Sequence, residues 1–219
     1  MIAIELDGGR RTTAIRYEPR GSDPRGDRTP GTVVLAHGAG AGQRHPFIVN
    51  LARRLAAVGI DVTTFDFPYM EEKRRAPDRA DVLERCFRRV LEHVDGIGTS
   101  PIVIGGKSMG GRIATHVSAQ GADIAGVFAL GYPLHPPGRP DQPRTAHLPA
   151  ITVPVLIVQG ERDPFGTPSE LKAVIGTIPA RVELEVVAGG DHSLAVRGRP
   201  AGQLSDWLGD RIARWMRSI

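Results

Sequence analysis

The chain has 219 residues, 41% of them hydrophobic and 24% charged, with a formal net charge of +4. That length fits a single domain spanning residues 1–219, and the composition is that of a folded globular protein, which excludes disordered, collagenous and fibrous classes. Basic residues are interspersed with acidic ones, as in Glu71-Glu72 beside Lys73-Arg74-Arg75, so the positive charge reads as solvated surface and no nucleic-acid partner is expected. The opening MIAIELDGGRR lacks the ~7 to 15 apolar residues of a secretion signal, and no run approaches the ~18 of a membrane span. A cytoplasmic location without a membrane partner is therefore expected. The single cysteine, Cys86, lies among Leu83, Phe87 and Val90 and reads as core packing. No Cys/His zinc spacing is present, and neither a metal nor an organic cofactor is expected.

In chain order, residues 2–6 and 12–17 alternate apolar and polar side chains around Asp7-Gly8-Gly9, which predicts a hairpin at a sheet edge. Residues 21–31 are polar and rich in Gly and Pro, and predict an exposed loop. The pattern then changes to short apolar strands alternating with helical stretches: Val33-Val34-Leu35, then Ile48, Leu51, Leu55 and Val58, then residues 62–65. Leu83, Cys86, Phe87, Val90, Leu91 and Val94 have helical spacing within residues 78–94, with Pro77 and Asp78 at the start and Gly96 beyond the end. Strands are expected at 102–104, 126–130, 155–158 and 182–187, and a last helix at 206–217 with Leu208, Ile212 and Trp215 on one face. This alternation predicts an α/β architecture, a mostly parallel central sheet with helices on both faces. Between Leu130 and Val153 the chain carries Pro133, Pro136, Pro137, Pro140, Pro143 and Pro149 and no long helical pattern. No cap domain is expected there, only a stiffened, open wall, because proline fixes φ and removes a donor.

The stretch GGKSMGGR, at 105–112, follows the apolar run Ile102-Val103-Ile104 and admits two readings. A phosphate-binding loop needs a glycine five residues before Gly106, and that position is Pro101. A nucleophile elbow needs G-x-S-x-G between a strand and a helix, and Gly106-Lys107-Ser108-Met109-Gly110 fits. A serine hydroxyl becomes a useful nucleophile only when a base takes its proton. Of the seven histidines, His192 is best placed, in a loop after the last strand and ahead of the terminal helix. The imidazole needs an acceptor at its other nitrogen, and Asp163 follows the strand 155–158 in Gln159-Gly160-Glu161-Arg162-Asp163-Pro164, with Glu161 and Asp191 as alternatives. An oxyanion needs two aimed N–H donors. Met109 N–H is the first candidate; the second is Ala39, or alternatively Gly40, in the small-residue loop His37-Gly38-Ala39-Gly40-Ala41-Gly42. A dinucleotide fingerprint fails there because its third glycine falls on Gln43. Lys107, Arg112, Tyr69 and the loop 131–139 are candidates for the pocket wall or for plain packing.

With these residues in place, the chain resembles the α/β-hydrolase superfamily, in particular its small, capless, dienelactone-hydrolase-like members, and most closely bacterial proteins related to the KANL3 and testis-expressed 30 proteins. The stretches that carry the resemblance are HGAGAGQRHPF, DFPYMEEKRRAPD, GGKSMGGR, GYPLHPPGRP, QGERDPFG and GDHS, spread from His37 to Ser193. The resemblance implies an α/β-hydrolase fold, a Ser108, Asp163, His192 triad, and an esterase or thioesterase acting on a small molecule. True dienelactone hydrolases resemble the chain in fold but use cysteine where it has Ser108, which argues against a dienelactone substrate. A different class, an interaction module on the same fold with little turnover, is the alternative.

Overall fold

The computed structural model describes residues 1–19, 31–96 and 101–219; the loop expected at 21–31 lies outside the described residues except for Gly31. The elements are β1 (Ile2–Glu5), β2 (Arg11–Tyr17), β3 (Thr32–Ala36), α1 (Pro46–Ala57), β4 (Asp61–Phe65), α2 (Pro68–Glu71), α3 (Ala80–Asp95), β5 (Ile102–Lys107), α4 (Met109–Ala119), β6 (Gly126–Leu130), β7 (Val155–Gly160), α5 (Pro168–Ile175), β8 (Val182–Val187) and α6 (Ala201–Met216). They build one eight-stranded sheet in the order β1-β2-β4-β3-β5-β6-β7-β8. Strands β3 to β8 pair in parallel, and the β1–β2 hairpin joins the β4 edge antiparallel.

The sheet divides its apolar side chains between two layers because successive residues of a strand face opposite ways. Val33, Leu35, Val103, Phe128 and Leu156 pack under α1 and α6, against Ile48, Leu51, Leu55, Leu208, Ile212 and Trp215. Val34, Ile104, Val127 and Ile157 meet α3, α4 and α5 on the other side, through Leu83, Phe87, Val90, Ile113, Val117 and Leu171. Strands covered on both faces need continuous apolar runs, and β6 (GVFAL) and β7 (VLIVQG) are buried along their whole length. Each fully buried Leu, Ile, Val or Phe contributes ~1.5 to 3 kcal/mol relative to exposure, so these two layers dominate the stability. At the open edge, Glu183 and Glu185 of β8 are held by Arg211 of α6 at 2.6 and 2.8 Å, which gives that edge a charged cover.

Two helix boundaries differ from expectation. α3 begins at Ala80 rather than residue 78, because the Asp78 carboxylate is drawn into ion pairs with Arg10 and Arg74 instead of capping the helix. α6 begins a turn earlier than expected, directly after Pro200. α5 adds a helix with a reciprocal capping box, Thr167 accepting from Glu170 N–H and the Glu170 carboxylate accepting from Thr167 N–H. Residues 131–154 contain only turns and a 3₁₀ turn at Leu148–Ala150. This connection is tied down by His135 N–H to Phe165 O (3.0 Å), Arg144 N–H to Leu134 O (2.7 Å) and the buried Tyr132 hydroxyl to Arg144 O (2.7 Å). Among the described residues, no helix is long and apolar enough to cross a membrane. Cys86 is buried in the α3 layer, and burial pushes its thiol pKa up, as a packing role requires.

Candidate active site

The turn from β5 into α4 is sharp. Ser108 stands alone between them at φ 51° and ψ −116°, a conformation that costs a non-glycine residue ~1 to 3 kcal/mol and persists only where its surroundings enforce it. The flanking glycines are required by space. A Cβ on Gly106 would lie 2.5 Å from Ala36 O, and one on Gly110 would lie 2.5 Å from His37 O, so α4 meets β3 at a distance no side chain allows.

The elbow presents the Ser108 hydroxyl to His192, with Oγ 2.8 Å from Nε2. On the far side of the ring, His192 Nδ1 lies 2.8 Å from Asp163 Oδ2. A carboxylate only accepts hydrogen bonds, so Nδ1 carries the proton and Nε2 is left as the acceptor for the serine hydroxyl. Asp163 is buried, and its other partners fix it: Oδ1 accepts from Phe165 N–H (2.8 Å) and Oδ2 also accepts from the Gln159 amide (2.9 Å). The Phe165 ring lies 4.2 Å from that of His192 at a 32° tilt. The alternative acids are otherwise engaged. Exposed Glu161 accepts from Gly189 N–H, and exposed Asp191 accepts from Ser193 and Ala195 N–H, so both are turn formers.

The loop after β3 is held from behind. Buried His37 accepts Phe67 N–H at Nε2 (3.0 Å) and therefore donates from Nδ1 to Gly38 O (2.8 Å); burial lowers its pKa, which keeps it neutral in that role. Tyr69, a candidate for the pocket wall, is instead fully buried, and its hydroxyl accepts Gly40 N–H at 3.3 Å. That bond occupies Gly40. Ala39, exposed on the cavity, keeps an N–H without a partner among the described residues. Met109, also on the cavity, is the first residue of α4, and the N–H groups of that first turn lack an intrahelical acceptor and lie at the positive end of the helix dipole. Gln43 is buried and ties the loop to Asp66 and Thr13.

Ser108 and His192 open on a cavity of about 530 Å³, walled by Phe47, Ile48, Leu83, Phe165, Arg112 and Arg144 among others. This is an ordinary size for a small-molecule site, where ~300 to 1,000 Å³ is usual. Lys107 lies on its rim and donates from Nζ to the His192 carbonyl at 2.5 Å, pinning the histidine loop to β5. Removal from water pushes its pKa down to about 8, although the charges of Asp163 and Asp191 oppose the shift. The folded protein thus binds fewer protons here than the unfolded chain between about 8 and an ordinary lysine value of ~10.4, so this group adds stability as pH rises through that window and costs it below. Urea unfolding of parent and Lys107→Met at pH 7 and pH 9.5 should show the parent gaining on the variant at the higher pH. An identical pH dependence in the two would refute the assignment.

The alpha/beta hydrolase domain family matches residues 29–218. The chain belongs to that family. Solved structures similar to this hydrolase-family chain include an α/β serine hydrolase homologue from Coxiella burnetii, 21% identical, covering 96% of both chains with a TM-score of 0.76. A lidless α/β serine hydrolase from Xanthomonas campestris is 20% identical over 98% of this chain and 93% of its own, with a TM-score of 0.76. A dienelactone hydrolase from Anabaena variabilis is 18% identical over 99% and 95%, with a TM-score of 0.77. The α/β-hydrolase fold is common to them and to this chain.

Sequence reasoning missed three supports of the site: Gln159, His37 as the anchor of the Gly38 carbonyl, and Arg144. Gln159 carried a usable signal, as the polar side chain inside the buried run VLIVQG.

Proposed function

We propose that the protein is a serine hydrolase that cleaves ester or thioester bonds of a small molecule through an acyl-enzyme intermediate. The observation that carries this reading is the unbroken relay of 2.8 Å contacts from Ser108 Oγ through His192 to Asp163. Ser108 Oγ attacks the carbonyl carbon as its proton passes to His192 Nε2, and the resulting oxyanion is bound by Met109 and Ala39 N–H. Collapse breaks the bond to the leaving alcohol or thiol, which takes the proton from His192. Water then repeats the sequence on the acyl-serine, releasing the acid and restoring the hydroxyl. Asp163 holds the ring in the required tautomer and favours the imidazolium that forms. No metal or organic cofactor enters this chemistry, and the likeness to the KANL3-related branch is consistent with it.

A fluorophosphonate probe tests the reading without knowledge of the substrate. Attack by an activated serine on phosphorus expels fluoride and leaves a tetrahedral phosphonyl ester that resembles the transition state, so labelling requires nucleophile, base and oxyanion donors together. Intact-mass analysis should show one adduct, mapped to Ser108 and absent from His192→Ala. A folded parent protein that stays unlabelled after prolonged exposure would instead favour an interaction module on the same fold.

A further inference from the structure

Most arginines with a partner in this molecule meet carboxylates: Arg10 with Glu72 and Asp78, Arg16 with Asp61, Arg54 with Asp210, Arg211 with Glu183 and Glu185. Two on the cavity wall do not. Arg112 makes a side-chain contact of 3.4 Å with His116 Nε2, and Arg144 donates to Pro133 O at 3.5 Å. Among the described residues, neither forms an ion pair. They are close enough that, after burial, the charge of Arg144 is the next cause lowering the pKa of Arg112.

Among the described residues no carboxylate meets either guanidinium directly; the charge of Glu84 reaches Arg112 only from a distance and offsets its burial in part. Asp78, the acidic residue of the wall, is bridged by Arg10 and Arg74. Glu84 is committed to His116 Nδ1 at 2.9 Å and to the Gln120 amide at 2.7 Å. His147 stacks on His116 at 3.8 Å, bonds to the Thr115 hydroxyl, and is driven to a pKa of about 3 by burial and by His116 and Arg112, so it contributes no charge of either sign. Lys107 is taken by the His192 carbonyl. Two half-buried guanidinium groups thus share one cavity with Ser108, their donor forks largely unused. Arg112 is also near the reacting centre along the chain: it sits four residues after Ser108, ~6 Å along the axis of α4, and its N–H donates to Ser108 O at 3.0 Å.

We propose that Arg112 and Arg144 form an anion subsite, and that the substrate is an ester or thioester carrying a carboxylate or phosphate a short chain away from the scissile carbonyl. A planar guanidinium matches either anion with two parallel bonds, and a pair of arginines without a direct ion-pair partner in a partly desolvated wall favours an anionic group over a neutral one. Phe47, Ile48 and Leu83 supply apolar wall for the chain between. The proposal deepens the serine-hydrolase reading and takes Ser108 as its reference point, but its binding test is independent of turnover.

In Ser108→Ala protein, which cannot form an acyl-serine, calorimetry would compare monophenyl esters of succinic, glutaric and adipic acids with phenyl esters of butanoic, pentanoic and hexanoic acids. A phosphonate-bearing phenyl ester separates phosphate from carboxylate preference. The best anionic ester should bind ~10- to 100-fold tighter than its neutral counterpart, the usual worth of charge-assisted bonds, and added salt should narrow the gap. Adding Arg112→Gln or Arg144→Gln should collapse that ratio, while Arg112→Lys, which keeps charge but loses the fork, should restore part of it. Equal affinity for charged and neutral esters, or a preference that survives both glutamine substitutions, overturns the subsite. Hydrolysis of the same esters by the parent is read separately. A preference in binding without any turnover leaves the subsite standing and removes the catalytic reading; turnover without preference does the reverse.

Discussion

Ser108→Ala should lower ester hydrolysis by at least ~10³-fold while leaving the thermal midpoint essentially unchanged. The loss follows from chemistry alone, because the alanine variant keeps the elbow and its N–H donors but has no oxygen to form the acyl-enzyme. The unchanged midpoint follows from backbone geometry. Alanine is no more comfortable than serine at φ 51°, so the local strain persists in both. Ser108→Gly provides the contrast, since glycine adopts positive φ without a Cβ penalty; it should be equally inactive yet melt no lower than the parent, the relief of strain offsetting the added freedom of the unfolded chain. Initial rates with a chromogenic ester, beside calorimetric melts of the three proteins, decide the matter. Parent-like turnover by Ser108→Ala would remove the serine from the mechanism.

Asp163→Asn should be nearly as damaging, ~10³- to 10⁴-fold in kcat, because of where an amide hydrogen is forced to point. Both oxygens of Asp163 accept bonds, Oδ1 from Phe165 N–H and Oδ2 from Gln159 and His192, so either orientation of an asparagine sets its NH₂ against a donor. The Phe165 amide is fixed backbone. Gln159, by contrast, has Tyr132 O and Gly166 O as further acceptors, at 3.2 and 2.7 Å, and a neutral imidazole can exchange tautomers. The NH₂ therefore turns toward His192, which answers by moving its proton to Nε2 and no longer accepts from Ser108. Steady-state rates for Asp163→Asn beside Glu161→Gln and Asp191→Asn check this. A silent Asp163→Asn with a crippling change at either of the other two would reassign the acid.

Much of the architecture was legible because it depends on short-range patterns. Continuous apolar runs such as VVL and GVFAL mark strands covered on both faces, and the i, i+3, i+4 spacing in α3 marks an amphipathic helix. The candidates Ser108, Asp163 and His192 could be named for a related reason: each lies within five residues of the C-terminal end of a strand, and parallel strands put those ends along one edge. The rest depends on pairings between distant segments. Nothing local in the sequence announces that Tyr69 reaches Gly40, that Lys107 reaches the carbonyl of His192, or that Asp78 is claimed by Arg10 before it can cap α3. That Arg112 and Arg144 form no ion pair among the described residues is the hardest of all to foresee, since it is defined by carboxylates that have gone elsewhere. α5 is a different case, because Thr167-Pro168-Ser169-Glu170 is a local capping signal in its own right.

The proline-stiffened connection at 131–154 has a bearing on the fate of an acyl group carried by Ser108. With turns rather than a helical cap beside the cavity, an acyl group on the proposed nucleophile Ser108 would be open to water and to other small nucleophiles. An enzyme that hands acyl groups to a chosen second acceptor must shield them from competing attack. On the proposed mechanism such a site would favour hydrolysis over transfer, and an added alcohol would intercept the acyl group in proportion to its concentration instead of being selected by a dedicated acceptor pocket.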